Sequence, residues 1–290
     1  MHITKFNKMK KHRLHSEFYP HIDNDKFTFV TQKLREFFTN KGFLEVHTQN
    51  RLSILSACED PFNISTFTFD HNVYPLPQTG QMWLEHELLN DPKQNGFFCL
   101  STSFRNEKNP VSGRHCKIFP MFEFESHGTM HDLKIMENEL LEFLGFGIPY
   151  VIKYEDACNE LETDIITGDH EIELQKRYGN NISLQYFPER TNPFWNMKRD
   201  DSGIAQKIDV LLFGQETIGS AERSSDKTLM KQKFLTIEDG KYSQKLYDLF
   251  STNRVINELN EFLDNDFINR YGGGIGVTRL IRAMELNGSF

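Results

Sequence analysis

Cysteine is scarce in this 290-residue sequence, which contains only Cys58, Cys99, Cys116 and Cys158. No two of them form a Cys-x-x-Cys pair, so the sequence offers neither the ligand spacing of a structural zinc site nor a disulfide framework. Few and scattered cysteines are typical of proteins in a reducing compartment, and we therefore expect a cytoplasmic protein.

Long apolar runs are also missing. No segment approaches the roughly 18 apolar residues that a membrane-spanning helix requires. The N-terminal segment MHITKFNKMKKHRLHS is basic but has no apolar stretch, which excludes a secretory signal. Because the chain has no internal repeat and no Gly/Ser/Pro-rich linker, we predict an N-terminal arm over residues 1–24 and a single domain over residues 25–290.

An excess of positive charge is lacking as well. The formal net charge is -8, whereas proteins dedicated to nucleic acids are usually basic, at least locally. The composition therefore disfavours extensive contact with a nucleic acid. Phenylalanine, in contrast, is abundant: 26 Phe in a chain that is 38% hydrophobic predict a substantial core.

Apolar spacing divides the chain into helices and hairpin-linked strands. Helices are predicted over residues 25–41, 80–89 and 131–146, a hairpin over 65–77, and strands over 96–107, 117–128, 207–214 and 215–223, with a Gly-rich strand or turn and a helix at the end of the chain. Strands joined by hairpins, with helices grouped between them, favour an α+β domain around an antiparallel sheet flanked by helices.

The first candidate site lies in the segment FRNE and the loop that follows it. Arg105 and Glu107 would share one face of a strand, and Arg114 and His115 come after the loop. Two arginines that converge from a hairpin suit a polyphosphate, because guanidinium groups match phosphate oxygens and stay charged. The alternative is an exposed hairpin covered with ion pairs.

Two acidic residues interrupt apolar strands in the segment IDVLLFGQETIGSAER. A carboxylate at Asp209 or Glu216 is costly there unless it is paired or bound to a metal ion. One or two such carboxylates suit a magnesium ion that bridges nucleotide phosphates. Arg223, on the same segment, is available for a carboxylate or amide oxygen of a substrate. The alternative is a structural salt bridge such as Glu216–Arg223.

Two further segments carry weaker signals. In YGGGIGVTRL, glycines such as Gly276 let the backbone approach a ligand, and Arg279 opens the following helix; the alternative is a plain turn with a surface arginine. In the helix at residues 80–89, Gln81 and Glu85 are four residues apart and share one face. The alternative is an ordinary solvated helix face.

Taken together and in this order, these segments resemble the class II aminoacyl-tRNA synthetase signature. Residues 34–46 resemble motif 1, FRNE…RHCKIFPMFEFE resembles motif 2, and GGGIGVTRL resembles motif 3. The segments QTGQMWLE, YFPERTNPFWNMKR and IDVLLFGQETIGSAER look like the aspartyl/asparaginyl branch, including ammonia-dependent asparagine synthetase. The resemblance spans roughly residues 25–285 and implies the antiparallel sheet of the class II catalytic domain.

The resemblance also implies roles in binding ATP and magnesium. Arg105 would contact the α-phosphate, Glu107 the adenine side, and Phe119 would stack on adenine. Arg114 or His115 would reach the γ-phosphate, and Arg279 would sandwich the adenine and contact phosphate. Gly276 would also belong to the ATP site. Asp209 and Glu216 would hold Mg²⁺, with Glu216 also facing the nucleotide.

For the amino acid, the resemblance implies a second set of residues. Glu59 would receive the substrate amino group, Thr79 and Gln81 would help to seat the substrate, and Arg223 would contact its side-chain carboxylate or amide oxygen. The lysine that aspartyl enzymes use falls at Leu84, and Glu85 matches a glutamate of asparaginyl enzymes. The site therefore leans toward asparagine or an analogue with a hydrogen-bond donor.

The resemblance implies an ATP-dependent ligase that adenylates aspartate, asparagine or a close analogue. Residues 117–119 replace the Pro-Glu-Phe of tRNA ligases, and only about 25 residues precede the core, too few for an anticodon-binding domain. We therefore expect transfer to a small nucleophile, with ammonia first and another amine next. Transfer to tRNA and a non-catalytic regulatory relative are the alternatives. A homodimer is expected, although the motif 1 proline falls at Gln49.

Overall fold

The computed structural model describes residues 16–55 and 61–290, which fold around one eight-stranded sheet. The strands are β1 (Leu44–Glu45), β2 (Thr66–Phe69), β3 (Asn72–Pro75), β4 (Gly96–Phe104), β5 (Ile118–His127), β6 (Tyr150–Lys153), β7 (Asn181–Phe187), β8 (Ala205–Leu212), β9 (Gln215–Glu222) and β10 (Arg270–Gly276). The strand order in the large sheet is β1-β4-β5-β10-β9-β8-β7-β6, and β2 pairs with β3 in a separate hairpin. All pairings are antiparallel except β1 with β4 and β6 with β7, which lie at the two edges of the large sheet.

Helices cover both faces of this sheet. They are α1 (Asn24–Asn40), α2 (Gln81–Asn90), α3 (Met130–Phe143), α4 (Tyr154–Leu161), α5 (Gly168–Tyr178), α6 (Lys227–Thr236), α7 (Lys241–Phe250), α8 (Thr252–Leu263) and α9 (Val277–Leu286). No helix among the described residues is long and apolar enough to cross a membrane.

The main core joins α1, α3 and α9 to one face of the sheet. Helix α1 begins at a side-chain cap, where Asp23 accepts hydrogen bonds from the backbone N–H groups of Asp25 and Lys26. Its apolar face buries Phe38, whose ring centroid lies 5.3 Å from that of Phe122 and 5.1 Å from that of Phe124 on β5. Residues alternate across a strand, so the side chains between these phenylalanines point to the opposite face.

That opposite face carries the acidic residues Glu123 and Glu125, both buried. Helix α2 lies over this face and packs Leu84 and Leu88 on Phe97 and Cys99. A second core forms around Trp195 and the helices α6, α7 and α8. The polar face of the central strands is therefore walled in by two apolar clusters, which creates an enclosed place for charged groups.

The α+β fold expected from the sequence is confirmed, including α1, α3, the β2–β3 hairpin and the central strands. One boundary differs in a way that matters. The strand predicted over residues 96–107 ends at Phe104, so Arg105 and Glu107 lie after β4 rather than within it. The pairing extends by one further bond, from the Arg105 N–H to the Lys117 carbonyl oxygen at 2.7 Å, which fixes the backbone of Arg105.

Candidate functional site

A groove of about 230 Å³ lies where the β4–β5 hairpin, β9 and the start of α9 meet. All eight residues that the sequence predicted for ATP line this groove: Arg105, Glu107, Arg114, His115, Phe119, Glu216, Gly276 and Arg279. These residues are up to 174 positions apart in the sequence, as Arg105 and Arg279 are. The sheet topology brings them together because β10 pairs with both β5 and β9.

Arg105 lies over the ring of Phe119, with 5.4 Å between its guanidinium carbon and the ring centroid. Its Nε is buried and has no hydrogen-bond partner within the described residues. A buried donor without a partner is costly unless a ligand satisfies it. The exposed ion-paired hairpin considered from the sequence is therefore wrong for Arg105, and the groove offers an unused cationic donor.

Arg114 and His115, in the loop between β4 and β5, are each held by a carboxylate. His115 Nδ1 lies 2.6 Å from Glu107 Oε2. Arg114 forms an ion pair with Glu171 of α5, and its Nη1 donates to the Gly214 carbonyl oxygen at 3.2 Å. These contacts fold the loop back over the sheet, so both basic side chains line the groove while each remains compensated.

Two carboxylates converge beside the groove, at Asp209 of β8 and Glu216 of β9. A side chain on Gly219, between them, would place its Cβ 3.0 Å from Glu216 Oε1 and 3.5 Å from Asp209 Oδ1. A Cβ at this position would crowd the Glu216 carboxylate, so the glycine leaves more room for the two carboxylates beside each other. The second oxygen of Asp209 pairs with Lys207 Nζ at 2.7 Å, whereas its Oδ1 is buried without a hydrogen-bond partner among the described residues.

The electrostatics of the two carboxylates differ. Burial raises the pKa of the Asp209 carboxyl to about 7, against the opposing effect of Lys207 and with the help of the nearby Glu216 charge. Desolvation would also raise the pKa of Glu216, but Arg279 and Lys207 outweigh it and hold that pKa below its ordinary value. Arg279 contributes directly, because its Nη1 donates to the Glu216 carbonyl oxygen at 2.7 Å and lies 3.7 Å from Glu216 Oε2.

The carboxylate oxygens of Asp209 and Glu216 fit a magnesium ion. An orphaned buried carboxylate oxygen beside a second carboxylate supplies the hard oxygen ligands that Mg²⁺ prefers. Within residues 16–55 and 61–290, no cluster of three His, Cys, Asp or Glu residues suited to a metal ion occurs. Mg²⁺ usually binds through one or two carboxylates and takes its other ligands from water and phosphates.

A narrow pocket continues from the groove toward α2 and includes Thr79, Gln81 and Arg223. Each of these side chains is held by an acidic residue of β5. The hydroxyl of Thr79 donates to Glu123, which also accepts from the Gly80 N–H at 2.8 Å. Gln81 donates to Glu125, and Arg223 Nη2 lies 3.2 Å from Glu125 Oε2. The Glu216–Arg223 salt bridge considered from the sequence is wrong, since Arg223 faces Glu125 and Glu216 faces Arg279.

Glu85 lies beside Arg223 and is fully buried. Its Oε1 is 3.7 Å from Arg223 Nε, its Oε2 is 2.8 Å from Arg270 Nη2, and Asn196 donates to it at 2.6 Å. Gln81 and Glu85 are 4% and 0% exposed, so the solvated helix face considered from the sequence is wrong. Glu59, predicted for the substrate amino group, lies outside the described residues.

The glycines of β10 make room for this network. A Cβ on Gly272 would lie 1.7 Å from Glu125 Oε2 and 2.6 Å from Gln81 Nε2. Any side chain at this position would therefore displace the buried carboxylate that holds Arg223. The Gly-rich strand therefore accommodates this buried protein network, and the close approach of its backbone to a ligand stays a prediction.

Sequence reasoning missed several charged residues of the site. Lys207, on β8 two residues before Asp209, lines both the groove and the narrow pocket. The i, i+2 spacing on one strand could have indicated that the two share a face. Glu123 and Glu125 share one face of β5 by the same spacing, whereas Arg270 gave no such signal, because its partner Glu85 lies far away in the sequence.

Comparison with known proteins identifies the kind of chain to which this geometry belongs. A family model described as tRNA synthetases class II (D, K and N) matches residues 25–287. The aspartate–tRNA(Asp) ligase of Thermoplasma volcanium is 24% identical over 232 residues, covering 69% of this chain and 53% of that protein. A lysine–tRNA ligase of Haemophilus influenzae is 33% identical over 135 residues, covering 44% of this chain and 25% of that protein.

Solved structures share the fold. The asparaginyl-tRNA synthetase of Pyrococcus horikoshii in complex with asparaginyl-adenylate superposes with a TM-score of 0.74 at 20% identity, covering 91% of this chain and 65% of that chain. An aspartyl-tRNA synthetase from Entamoeba histolytica gives a TM-score of 0.67 at 18% identity, covering 89% of this chain and 54% of that chain. The chain spans about half the length of the curated relatives that match most of it.

Proposed function

We propose that this chain, which belongs to the family of class II tRNA synthetases for D, K and N, activates aspartate, asparagine or a close analogue with ATP. The product of this step is an aminoacyl-adenylate, whose acyl group then passes to a small nucleophile. The observation that carries the proposal is the groove in which Arg105 and Arg279 lie beside the paired carboxylates of Asp209 and Glu216. Magnesium–ATP carries several negative charges and suits this combination of arginines and hard oxygen ligands.

Different residues of the groove would bind different parts of magnesium–ATP. Arg105 supplies an unsatisfied guanidinium donor for the α-phosphate, and its stacking on Phe119 fixes the plane of the fork. Arg279 opens α9 and its Nη1 donates to the Glu216 carbonyl oxygen, which supports a role in contacting the nucleotide base and the outer phosphates. Asp209 and Glu216 would hold Mg²⁺, which supplies neutralisation of phosphate charge when bound.

The chemistry needs little covalent help from the protein. The carboxylate of the amino acid attacks the α-phosphorus, a new P–O bond forms, and the bond to the pyrophosphate oxygen breaks. Charge that builds on the phosphate oxygens is stabilised by guanidinium groups that are already oriented, which lowers the barrier. Arg223, held by Glu125, would present one edge of its guanidinium to the side-chain oxygen of the amino acid.

Exchange of labelled pyrophosphate into ATP tests this function directly. The full chain is incubated with magnesium, ATP, labelled pyrophosphate and each amino acid in turn. We expect exchange with aspartate, asparagine or a near analogue and none without an amino acid. Absence of exchange with every amino acid and analogue, at saturating magnesium, would overturn the adenylation proposal and favour a non-catalytic regulatory role.

Aminoacylation of tRNA is the second candidate, because the matching relatives and solved structures bear the names of tRNA ligases. The same adenylate would then react with the terminal ribose of a tRNA. Acid-precipitable label from the activated amino acid onto total tRNA measures this reaction, and its dependence on salt reports the phosphate contacts. Formation of a free amide without tRNA supports the small nucleophile instead.

A further inference from the structure

A cavity of about 110 Å³ lies on the opposite face of the sheet from the groove, between α3 and the strands β6, β7 and β8. Its floor includes a row of neighbours across three strands, namely Val151 of β6, Ser183 of β7 and Val210 of β8. Because β6 is the edge strand and Val151 is 54% exposed, a small solute can enter this edge cavity at the margin of the sheet. Among the described residues, none that lines the edge cavity also lines the groove or the narrow pocket.

The floor of the edge cavity carries polar side chains on a buried strand. Ser183 and Gln185 of β7 are both 3% exposed. They face α3, because the residue between them, Leu184, packs in a core on the other face. Gln185 Nε2 donates to Ser183 Oγ at 2.9 Å, but the side-chain carbonyl oxygen of Gln185 accepts no hydrogen bond within the described part of the chain. A buried acceptor in this position is costly unless something in the cavity satisfies it.

The wall of the edge cavity contributes a buried carboxyl group from Glu137 of α3, which is 2% exposed. Its Oε1 accepts from the Ser220 hydroxyl at 2.6 Å, whereas its Oε2 has neither a hydrogen-bond partner nor an ion pair in the part of the chain that the structure describes. Asn138, the next residue, lines the same cavity and offers a further amide oxygen. A buried carboxyl oxygen without a partner, at the wall of a polar cavity, indicates a ligand site.

The basic residue at the edge cavity does not supply the missing partner. Lys134 lies almost one turn before Glu137 on α3 and lines the same cavity. Its Nζ donates to the Tyr186 hydroxyl at 2.6 Å and lies 4.5 Å from the centroid of that ring. Lys134 forms no ion pair with any described residue, Glu137 included. The carboxyl group therefore has no protein cation to balance it when it ionises.

The donor set and the size of the edge cavity indicate a compact monovalent cation. The available ligands are oxygens: one carboxylate, the amide oxygens of Asn138 and Gln185, and the Ser183 hydroxyl. One carboxylate balances one positive charge, so a divalent ion would leave a net charge in a place of low dielectric. At about 30 Å³ for each water-sized species, the 110 Å³ holds roughly one ion with two or three waters, which is too little for Mg²⁺ and the waters it retains.

We propose that the edge cavity binds a compact monovalent cation, potassium or ammonium, which the Glu137 carboxylate and the neutral side-chain oxygens around it coordinate. This site goes beyond the adenylation function proposed above and does not depend on it. Glu137 is bonded to Ser220 of β9, so the cation lies beneath the strand that carries Glu216. It compensates the charge of an ionised Glu137 at that place in the core.

The cation competes with a proton for Glu137. Burial raises the pKa of this carboxyl to about 8, against the Ser220 hydrogen bond and with the help of the Asp209 charge on β8. The other charged group at the cavity, Lys134, is turned toward Tyr186. A bound cation favours the ionised form, so binding releases a proton. The affinity for potassium should therefore fall on the order of tenfold or more from pH 8 to pH 6.

Thermal unfolding of the full chain tests the site. The Tm is measured at pH 8 in the chlorides of potassium, ammonium and N-methylglucamine at matched ionic strength, the last being an organic cation too large for the cavity. We expect potassium, ammonium or both to raise the Tm above its value in N-methylglucamine on the order of 2 °C, because they bind only the folded state. The larger shift identifies the preferred ion. Equal Tm values in the three salts would show that water alone fills the cavity and would overturn the proposal.

Glu137→Gln removes the charge and keeps the shape of the side chain. It should abolish the Tm difference between the small cation and N-methylglucamine. Glu142→Gln is the control, since Glu142 is exposed on the same helix, and it should keep the full difference. A difference that persists in Glu137→Gln would place the cation elsewhere and contradict the site.

Val151→Lys tests the site without touching Glu137. It brings a tethered ammonium group to the mouth of the edge cavity from an exposed position, so the protein should stay folded and lose its response to the small cation. Ile148→Lys is the matched control, because Ile148 is 71% exposed and does not line the cavity, and it should keep the response. Equal responses in these two variants would overturn the proposal even if Glu137→Gln failed to fold.

Discussion

Arg223, the residue directly after β9, forms an ion pair with Glu125 of β5, with Arg223 Nη2 lying 3.2 Å from Glu125 Oε2 and both side chains almost fully buried. Burial raises the pKa of the Glu125 carboxyl to about 7 even though Arg223 and Arg270 oppose the rise. Keeping such a pair buried carries a large desolvation cost, which is tolerated where the pair serves a function. Its purpose here, on the function proposed above, is to hold one edge of a guanidinium toward the amino acid.

The first prediction concerns the shape of that guanidinium. Arg223→Lys keeps the positive charge beside Glu125 but removes the planar fork, which a single ammonium cannot replace. We expect the KM for the amino acid to rise on the order of tenfold or more, while the KM for ATP changes little. Pyrophosphate exchange measured against each substrate in turn gives both values.

Arg199→Lys is the control for this change. Arg199 is also buried, with its side chain 3% exposed, and pairs with Glu189 at 2.7 Å outside the groove and the narrow pocket. It should cost a comparable amount of stability and leave both KM values in place. Equal effects of the two substitutions on the amino-acid KM would contradict a contact between Arg223 and the substrate.

The second prediction concerns Arg279 at the start of α9. Arg279→Ala removes a guanidinium that faces the groove, and we expect pyrophosphate exchange to fall about 100-fold or more, the usual loss when one charge-stabilising donor is removed. Arg282→Ala, one turn further along the same helix, should retain exchange, because Arg282 bonds the Phe213 carbonyl oxygen at 3.3 Å on the surface and does not line the groove. Similar losses in both variants would indicate damage to α9 rather than to the site.

Local patterns in the sequence predicted the central strands and α1, α3 and α9, because each carries its own periodicity or glycine signature. The edge strand β6 escaped prediction, since Tyr150–Lys153 is short and mostly exposed and its pairing with β7 is a long-range contact. For the site, the motifs predicted which residues line the groove. The motif could not predict that Arg105 lies just after β4, with its N–H bonded to the Lys117 carbonyl oxygen.

The buried ion pairs are the part of the site that local sequence patterns could not predict. Glu85 pairs with Arg270, 185 positions away, and Glu125 pairs with Arg223, 98 positions away. A sequence shows each as an isolated charge, and isolated charges are usually exposed. Whether such a residue is solvated or buried depends on the partner that the sheet topology brings to it, which no local window contains.

The third prediction concerns the two carboxylates over Gly219. Asp209→Asn keeps the size of the side chain but removes a charge, so we expect the magnesium concentration needed for half-maximal exchange to rise on the order of tenfold. The thermal stabilisation that magnesium–ATP gives the protein should shrink in parallel, which reports binding without turnover. Asp201→Asn, at an exposed turn, is the control and should match the unchanged protein in both measurements.

Gly219→Ala tests the same proposed metal site without removing either carboxylate. An added Cβ would lie 3.0 Å from Glu216 Oε1, so it should separate the two carboxylates and weaken magnesium binding without removing either charge. A magnesium requirement that stays constant in both Asp209→Asn and Gly219→Ala would contradict a metal site between Asp209 and Glu216.

The fourth prediction concerns Glu137 of α3, which is 2% exposed and accepts a hydrogen bond from Ser220 at 2.6 Å. Burial raises the pKa of its carboxyl to about 8 from an ordinary value of 4.5. Between these two values the unfolded chain loses the proton while the folded protein keeps it, so the unfolded state is favoured as pH rises. The contribution of Glu137 to stability is therefore lost through this window, by up to about 1.4 kcal/mol per pH unit, and levels off above pH 8.

Glu137→Gln isolates this effect because the amide has the same shape and no proton to lose. Denaturant unfolding at several pH values gives the free energy of unfolding of both proteins. We expect the difference between them to be nearly constant below pH 4.5 and to turn in favour of the glutamine variant between pH 4.5 and 8. The measurement also bears on the site, because Ser220 lies on β9 next to Gly219, and ionisation of Glu137 places a negative charge beneath the strand that carries Glu216. Parallel curves across this range would show that Glu137 is ionised in the folded protein and that water or a cation reaches it.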